Sequence, residues 1–339
     1  MEEAALSHDN NTILNRKTFP PGKVIGNYEI VFLVGVGGFG EVYKVKDKKT
    51  NQMFALKTEN LNAPVKGMEN EIECIRALDD TCFPKVRSSG STKKVQYFVM
   101  SIYGLSIASV RLKTQSGRLP LETSLAIGIE MLKVIAKFHK YGFVHRDIKP
   151  SNFLVQQNER NPLVLIDFGL AKKTYNPETN QPLEDITFEK QQYVGTKKYS
   201  SIFSHYGNEL GKRDDLYSWF YSMVEMIKGA LPWAELTNEE AGDSKEKISP
   251  EELCSDIPKQ FVDIYKYIQT LEFESNPDYE RIVALCTEAA NENNINLETF
   301  NWNMFYSKNS ALSDMRKILD QYRTPDNNSA SEGHCCIIE

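Results

Sequence analysis

The feature that most constrains this 339-residue chain is a pair of acidic motifs whose aspartates lie 20 residues apart. The first motif reads VHRDIKPSNFL at residues 144–154, and the second reads IDFG at residues 166–169. They supply two carboxylates, an amine and an amide in a fixed order: Asp147, Lys149, Asn152 and Asp167. One Asp in a loop is ordinarily only a turn residue. Four such groups at this spacing are much harder to attribute to chance, so they indicate a functional site.

These residue types suit the transfer of a phosphoryl group from ATP to a hydroxyl. The reaction needs a carboxylate that orients the hydroxyl and accepts its proton, a role that Asp147 could take. Lys149 would steady the γ-phosphate as charge moves, while Asn152 and Asp167 would hold Mg²⁺ against the phosphates. HRD-x-K-x-x-N followed by DFG is the signature pair of protein kinases. The remaining parts of that signature can be sought independently in the chain.

A glycine-rich segment, Gly35-Val36-Gly37-Gly38-Phe39-Gly40, follows a predicted strand at residues 28–34. A lone G-x-G-x-x-G also occurs in dinucleotide-binding folds, which require a helix directly after the glycines. Residues 41–45 read EVYKV, an alternating β-branched pattern that predicts a hairpin instead. Glycines at positions 35, 37 and 40 let the backbone fold closely over phosphates, where a Cβ would obstruct it. Val42 would then contact the adenine.

Other segments of the N-terminal third fit the same organisation. A strand predicted at residues 53–57 carries Ala55, which is small enough to cover a base, and Lys57, at the lysine position of the V-A-I-K motif. An amphipathic helix is predicted at residues 68–78. A further strand ends in Met100, which we interpret as the gatekeeper behind the adenine. The backbone of Tyr103 is predicted to bond the adenine edge.

Later segments predict mostly helical structure. A helix that leads into the first acidic motif is predicted from an apolar stripe formed by Leu125, Ile129, Leu132 and Ile135. Residues 170–202 are interpreted as an activation segment that ends in GTKKYSSI. An almost unbroken apolar stripe predicts a buried helix opened by Asp215 and ended by GALPW at residues 229–233. Residues 234–255 are acidic and are predicted to be a loop, and further helices are expected to about residue 322.

Length and composition limit the class of protein. At 339 residues the chain exceeds the roughly 250–300 residues of a single hydrophobic core, so two lobes are expected. Its net charge of −6 argues against a general nucleic-acid binder and against adhesion to anionic membranes. Six cysteines without a CxxC pair indicate neither a zinc site nor a disulfide framework. No apolar run reaches the roughly 18 residues of a transmembrane helix, and the acidic N-terminus is no signal peptide, so a cytoplasmic or nuclear location is expected.

The sequence resembles the eukaryotic protein kinases of the casein kinase 1 group, and within that group the tau-tubulin kinases. The group's features are IDFGLAKK at residues 166–173, GTKKYSSI at 195–202 in place of an A-P-E block, KRDDLYSWFY at 212–221 and GALPW at 229–233. The tau-tubulin features are TLEF at 270–273, NPDY at 276–279 and FNW at 300–302. The resemblance implies an α+β, bilobal protein-kinase fold, with a small β-rich N-lobe and a larger α-helical C-lobe. It also implies phosphorylation of serine and threonine with ATP and Mg²⁺.

The resemblance further implies domain limits and residue roles. A kinase domain would span residues 24–305, with an N-lobe at 24–102 and a C-lobe at 103–305. A mobile leader (1–23) would precede it, and a C-terminal helix (306–322) and a disordered tail (323–339) would follow. Among the three glutamates of the predicted helix, Glu71 would pair with Lys57 because its spacing to Leu78 matches the family. Leu154 would lie at the ATP site. Although Arg146 is present, casein kinase 1-like enzymes are typically active without a phosphorylated activation segment, and the same is expected here.

The chain departs from the family at two places. The predicted hinge reads SIYG at residues 101–104, where the family commonly has an acidic residue and leucines. The family's anion-binding pocket uses an Arg, a Gly and a Lys. Lys198 and Gly229 match two of these positions, but the third position is Thr237.

Basic residues cluster around the predicted peptide platform. Between residues 195 and 213, Glu209 is outnumbered by four basic residues: Lys197, Lys198, Lys212 and Arg213. A local positive field predicts a preference for acidic or pre-phosphorylated substrates. Lys197 and Lys198 are the decisive pair because neither has an adjacent acid in the sequence. The alternative for Lys212 and Arg213 is a pairing with Asp214 or a capping role at the next helix.

Two other functions share parts of the pattern. A pseudokinase would keep the fold, but it usually loses one of the residues that stand here at positions 57, 147, 152 and 167. A small-molecule phosphotransferase shares the Asp…Asn…Asp order but lacks the complete glycine signature and the GTKKYSSI segment. The expected partners are protein substrates rather than nucleic acid, and a monomer is expected. The C-terminal Cys336-Ile337-Ile338-Glu339 has the C-a-a-X form, but its terminal Glu is atypical and no polybasic stretch precedes it, so a solvated tail is expected rather than a lipid anchor.

Overall fold

The computed structural model describes residues 18–37, 40–63, 66–114, 116–158, 160–184 and 186–305. Gly38 and Phe39, most of the predicted leader, the predicted C-terminal helix and the tail with its C-a-a-X sequence lie outside these residues. The described chain forms two compact units. The first contains residues up to 76 together with 84–102, and the second contains residues 77–83 and those from 103 onward.

The first unit is built on an antiparallel sheet. Its six strands in the described residues are β1 (Val24–Ile25), β2 (Tyr28–Gly37), β3 (Gly40–Asp47), β4 (Met53–Asn60), β5 (Ser88–Ser91) and β6 (Val95–Met100), in the spatial order β1-β2-β3-β4-β6-β5. The glycine segment joins β2 to β3, and Gly37 pairs directly with Gly40. The predicted hairpin is therefore confirmed, and the helix that a dinucleotide-binding fold would need does not follow these glycines.

The two faces of this sheet carry different residues. Side chains of an antiparallel sheet alternate between faces, and directly paired residues share a face. One face supplies the hydrophobic core, a cluster of Ile25, Tyr28, Ile30, Tyr43, Val45, Phe54, Leu56 and Val99. The opposite face carries a set joined by direct pairing, in which Val42 pairs with Lys57 and Ala55 pairs with Met100. The register thus collects four predicted nucleotide-binding residues on one face.

Helix α1 (Met68–Ala77), in the described part of the first unit, is attached to the sheet through its N-terminus. The first backbone N–H groups of a helix have no partner within the helix and need an outside acceptor. Glu59 of β4 provides it, because its Oε2 accepts from Gly67 N at 2.7 Å and from Met68 N at 3.0 Å. Gln96 of β6 donates to the other oxygen of Glu59 at 2.6 Å. This network fixes where the side chains of α1 meet the sheet.

The second unit is mainly helical. In the described residues its helices are α2 (Ile107–Leu112), α3 (Leu121–Lys140), α4 (Ile202–His205), α5 (Lys212–Lys228), α6 (Asn238–Lys247), α7 (Pro250–Leu253), α8 (Gln260–Gln269) and α9 (Tyr279–Glu292). Short 3₁₀ turns occur at Pro150–Asn152, Leu297–Thr299 and Trp302–Phe305. Two small antiparallel pairs join β7 (Phe143–Val144) to β10 (Lys172–Lys173) and β8 (Phe153–Val155) to β9 (Leu163–Leu165).

The core of this unit forms where α3 and α5 pack together. The predicted stripe of α3 is buried, and so are the apolar side chains of α5. Close approach of the two helices depends on Gly128, because a Cβ there would lie 1.9 Å from the sulfur of Met223. Trp219 donates its indole N–H to Gly128 O at 2.8 Å, which satisfies its polar group inside the core.

Two sequence predictions about helices were wrong. Helix α5 begins at Lys212 rather than at Asp215, because Asp214 accepts from Gly211 N at 2.7 Å and extends the helix start upstream. Residues 234–255 contain α6 and α7 rather than a loop. Thr237 and Glu240 form a reciprocal capping box, and Ser249 with Pro250 starts α7. Four of the acidic residues that suggested a loop lie in the first turns of these helices: Glu239, Glu240, Glu251 and Glu252. The T-x-x-E pattern could have revealed the first of these helix starts.

No helix among the described residues is long and apolar enough to cross a membrane.

Candidate active site

The catalytic loop, residues 145–152, is attached to α5 through Asp215. One carboxylate oxygen accepts from His145 N at 2.8 Å, and the other accepts from Arg146 N at 2.9 Å. Arg146 has φ of +66°, a left-handed conformation that non-glycine residues seldom adopt. The two hydrogen bonds therefore hold a strained backbone directly before Asp147. Sequence reasoning treated Asp215 only as a helix start and missed this anchoring role.

A buried histidine completes the anchor. His139 of α3 has its Nε2 2.8 Å from Asp215 Oδ2 and its Nδ1 2.6 Å from the hydroxyl of Tyr279. Burial lowers the pKa of His139, while Asp215 opposes that shift. A neutral imidazole can donate from Nε2 to the carboxylate and accept from Tyr279 at Nδ1. Helices α3, α5 and α9 thus meet at the residue that holds the catalytic loop.

Asp147 and Lys149, the predicted catalytic residues, are brought together with a third side chain. Asp147 Oδ1 accepts from the Thr196 hydroxyl at 2.7 Å, and Asp147 Oδ2 lies 3.1 Å from Lys149 Nζ. Lys149 also donates to Thr196 Oγ1 at 2.8 Å. The three groups form a closed hydrogen-bonded ring in which both charged side chains are buried. Thr196 belongs to the GTKKYSSI segment, but its contact with Asp147 was not predicted.

The predicted metal ligands lie next to this ring. Asn152 Nδ2 donates to Asp147 O at 2.9 Å, and Asn152 O accepts from Ile166 N at 3.0 Å. Ile166 directly precedes Asp167, so this backbone bond places Asn152 beside the segment that carries Asp167. Asp167 adopts φ of +67°. The neighbouring Phe168 is fully buried and packs against Phe138 and His145, at ring distances of 5.3 Å and 5.4 Å.

The side-chain oxygen of Asn152 fits a metal ligand. This atom is buried and has no hydrogen-bond partner among the residues that the structure describes. An unsatisfied buried polar atom costs about 1–3 kcal/mol, so such an atom calls for a missing partner. Amide and carboxylate oxygens are the ligands that Mg²⁺ prefers. The described residues contain no cluster of three or more His, Cys, Asp or Glu side chains placed for a metal, so an ion here would depend on Asn152 and on further oxygens such as phosphates.

In the first unit, Lys57 and Glu71 form a buried ion pair. Lys57 Nζ donates to Glu71 Oε2 at 2.7 Å, and both side chains are buried. Glu69 and Glu73, the alternatives on the same helix, are exposed. Burial of two charges is tolerated only with close geometry, which this pair has. The structure thus places the lysine amine on the same sheet face as Val42 and Ala55.

The glycine hairpin approaches its neighbouring strand closely. Gly35 pairs with Val42, and Val36 pairs with Glu41. Gly40 has φ of +135°, and a Cβ there would lie 1.7 Å from Thr58 O. Only glycine can occupy this position, which explains one glycine of the motif by contact within the sheet rather than by contact with a ligand.

The remaining predicted ATP residues are Met100, Tyr103 and Leu154. Met100 ends β6 and is buried in the first unit. In the second unit Tyr103 is half-buried, and Leu154 of β8 pairs with Val164. Gly104 N donates to Val155 O at 2.8 Å, which fixes the chain next to Tyr103.

The predicted anion pocket contains a carboxylate that sequence reasoning missed. Glu225 of α5 is buried, and its Oε1 lies 3.0 Å from Lys198 Nζ and 3.1 Å from Arg111 Nη2. Its other oxygen accepts from the Tyr199 hydroxyl at 2.6 Å. Gly229 ends α5 with φ of +90°, and its carbonyl accepts from Arg111 at 3.0 Å.

Lys197 and Lys198 have no acid adjacent in the sequence, but both have partners from distant parts of the chain. Lys198 pairs with Glu225 across 27 residues of sequence, and Lys197 donates to the carbonyl of Leu236. Such partners arise from tertiary packing and cannot be read from neighbouring residues.

Lys212 and Arg213 are buried within the second unit. Lys212 contacts Asn180 and lies over the Tyr175 ring at 4.2 Å, and burial lowers its pKa to about 8. Arg213 pairs with Glu272 at 3.2 Å and lies over the Phe203 ring at 3.5 Å. Arg213 Nε also lies 3.7 Å from Asp214 Oδ2, the pairing that the alternative names, whereas Lys212 contacts Asn180 and Tyr175. Of the four basic residues, Lys197 and Lys198 are left as candidates for the local positive field.

Glu209 is another buried carboxylate of the second unit. Its Oε2 lies 2.7 Å from Lys172 Nζ and also accepts from Gln191. Arg146 donates from Nε to Leu170 O at 2.7 Å. Burial lowers the pKa of Arg146, and the charges of Glu209 and Asp215 oppose that shift. Glu209 therefore supplies negative charge close to the arginine of the HRD motif.

Comparison with known proteins agrees with this arrangement. The family model described as protein kinase domain matches residues 28–295. The chain therefore belongs to the protein kinase family, which uses ATP as a substrate, and its class is that of the protein serine/threonine kinases.

Two relatives indicate the nearer grouping. The chain is 33% identical over 304 residues to a probable casein kinase I homologue of Encephalitozoon cuniculi, a match that covers 86% of this chain and 98% of that protein. It is 31% identical over 292 residues to a probable serine/threonine-protein kinase of Dictyostelium discoideum. That match covers 84% of this chain but spans 58% of the length of the Dictyostelium protein. The casein kinase 1-like character is thus supported by a relative.

Proposed function

We propose that this chain transfers the γ-phosphate of ATP to serine and threonine hydroxyls of protein substrates. The observation that carries the proposal is the closed ring of Asp147, Lys149 and Thr196 beside the unpartnered oxygen of Asn152. It combines a carboxylate, a cation and an amide in the order that phosphoryl transfer requires.

The proposed roles follow from the chemistry of each group. Asp147 orients the substrate hydroxyl and accepts its proton, and Lys149 stabilises the charge that develops on the γ-phosphate. Thr196 hydrogen-bonds to both side chains and keeps them in position, so that the site needs little reorganisation during the reaction. Most of the rate gain then comes from positioning and electrostatics.

Nucleotide binding is assigned to the sheet of the first unit and to Tyr103 and Leu154 of the second. Lys57, held by Glu71, would bind the α- and β-phosphates. The glycine hairpin would cover the phosphates, and the adenine would contact Val42, Ala55, Met100 and Leu154, with its edge bonded to the backbone of Tyr103.

Asn152 and Asp167 are the residues that would hold Mg²⁺. The ion would neutralise part of the phosphate charge when it is bound. The residues of this chain fit that task because one offers a buried amide oxygen and the other a carboxylate.

We further propose a tau-tubulin-like substrate range with a modest preference for acidic or pre-phosphorylated sites. The support is local charge, since Lys198 and Arg111 together outnumber the carboxylate of Glu225 that both of them contact. Partly exposed pairs of this kind contribute up to about 1 kcal/mol, or about fivefold in kcat/KM. A matched set of acidic, phosphorylated, neutral and basic peptides tests this preference, and equal or better use of the basic peptide contradicts it.

The main experiment is incubation of the protein with labelled ATP and Mg²⁺, with and without a protein substrate. Label transferred to serine or threonine supports the proposal. Nucleotide binding without transfer would indicate a pseudokinase, and label found only on small molecules would indicate a different phosphotransferase. The monomeric state, the cytoplasmic or nuclear location and the solvated tail remain predictions.

A further inference from the structure

The platform segment, defined here as residues 195–202, is contacted by a buried lysine of α6. Lys245 is 2% exposed, and its Nζ donates to Lys197 O at 2.6 Å and to Ser200 O at 2.7 Å. The same atom lies 3.0 Å from His205 Nε2. One amine thus connects both ends of a four-residue turn and the helix that follows it.

The surroundings of Lys245 are unusual for a lysine. Lysines are almost never fully buried without a paired carboxylate, and within the described ranges none lies at ion-pair distance from Lys245. Its neighbours are the rings of Tyr221 and Trp233, each 5.4 Å away. Burial, together with the nearby charge of Lys197, lowers the pKa of Lys245 to about 6. An apolar side chain would be buried here at a lower cost in free energy, so the role of this amine lies in its hydrogen bonds.

The carbonyls that Lys245 binds belong to the turn that follows Thr196. Tyr199 N and Ser200 N both donate to Thr196 O at 2.9 Å, which closes the turn. The Thr196 hydroxyl donates in turn to Asp147. Lys245 is therefore joined through one turn of backbone to the reacting carboxylate of Asp147, 98 residues away in the sequence.

Helix α6 is docked closely enough to make this contact specific. A Cβ at Gly242 would lie 3.1 Å from Cβ and Cγ of His205, so the helix packs directly on the residue that ends α4. Trp233 donates to Lys198 O at 2.8 Å, which satisfies the carbonyl between the two that Lys245 binds. The backbone of the turn is thus held by Trp233 and by Lys245 of α6.

We propose that Lys245 is a positioning residue for the protein substrate. It fixes the backbone of residues 197–200 so that a substrate segment lying along the platform presents its hydroxyl to Asp147. This inference rests on the proposed kinase function and assigns a substrate-specific role to a residue that touches neither ATP nor the reacting atoms.

The test compares Lys245→Met with Lys247→Met. Methionine keeps the buried stem of Lys245 and removes its donors, whereas Lys247 is exposed on the same helix and pairs only with Asp243 at 3.2 Å. Steady-state kinetics are measured for dephosphorylated casein and for ATP, together with ATP hydrolysis in the absence of casein. Lys245→Met should raise KM for casein about tenfold or more and leave KM for ATP and basal hydrolysis within about twofold, because only the platform loses its hydrogen bonds. Lys247→Met should match the wild type.

Each other result has a defined meaning. If the wild type does not phosphorylate casein or any protein, the proposed function fails before the variant is considered. If Lys245→Met alters both KM values equally, or lowers only the melting temperature, Lys245 is a structural residue and the inference is wrong. Lys245→Gln, which retains an amide donor, should restore part of the affinity for casein and is judged by the same criteria if the methionine variant does not fold. Failure of both variants to fold would also overturn a positioning role.

Discussion

Replacing Asp215 by asparagine should disable the catalytic loop without touching a reacting atom. Three donors converge on this buried carboxylate: His145 N, Arg146 N and Nε2 of His139. Asparagine keeps one acceptor oxygen and presents an amide N–H₂ in place of the other, so at least one donor faces another donor. The strained backbone at Arg146 then loses part of the hydrogen bonding that stabilises it.

The expected magnitude follows from these contacts. A hydrogen bond to a charged group contributes about 1.5–3 kcal/mol, and a buried donor left without a partner costs about 1–3 kcal/mol. The two estimates describe largely the same loss and are not summed, so a decrease of about 1.5–3 kcal/mol in the free energy of unfolding is expected. Displacement of Asp147 by about 1 Å would lower kcat by about a hundredfold.

Urea denaturation and steady-state kinetics measure the two effects. The matched control is Asp243→Asn on α6, where the carboxylate is exposed and pairs only with Lys247, so stability should change by less than about 1 kcal/mol. KM for ATP should change little in Asp215→Asn, because Lys57 and Glu71 form their pair within the first unit. A folded Asp215→Asn protein with kcat within about threefold of wild type would refute the anchoring role.

Three further predictions concern other charged groups. Glu71→Gln should raise KM for ATP about tenfold or more while Glu73→Gln does not, because only Glu71 binds the buried Lys57, and equal effects would contradict the assignment. Lys245 should make the free energy of unfolding rise with pH from about 6 towards 10.5, because the unfolded chain keeps a proton on this amine that the folded chain has lost. If the difference in this free energy between wild type and Lys245→Met is flat over the range, that result would argue against the buried amine. Phosphatase-treated protein should remain active because Glu209 already supplies negative charge near Arg146, and strict dependence on prior phosphorylation would overturn this expectation.

The parts of the fold that the sequence predicts well depend on short-range order. The alternation at residues 41–45 predicted the β2–β3 hairpin because a strand's period of two is a local property. The spacing of the two acidic motifs likewise predicted a set that the structure does bring together around Asp147. Both inferences needed only residues that are close in sequence.

The errors concern partners that tertiary packing selects. Glu225, the partner of Lys198, lies on a helix whose arrangement the sequence does not reveal. Lys212 and Arg213 were counted toward a positive field beside the platform, yet aromatic rings and distant acceptors cover them. The contacts of Lys245 could not be predicted from the sequence, because its acceptors are backbone carbonyls, which every residue has.

The 234–255 error had a different cause. The acidic composition was read as a property of a loop, although acids are also favoured in the first turn of a helix. The capping box at Thr237 and Glu240 was present in the sequence and is a better guide than composition.

The measurement that tests the central claim most directly is phosphate transfer by Asp147→Asn. With labelled ATP, Mg²⁺ and a protein substrate, the wild type should label serine or threonine, and the variant should lose this transfer by orders of magnitude. Nucleotide binding and melting temperature should stay close to wild type, because asparagine can still accept from Thr196 and the residue lies outside the hydrophobic core. A folded variant whose turnover is within about tenfold of wild type would contradict the role given to Asp147 and, with it, the proposed mechanism.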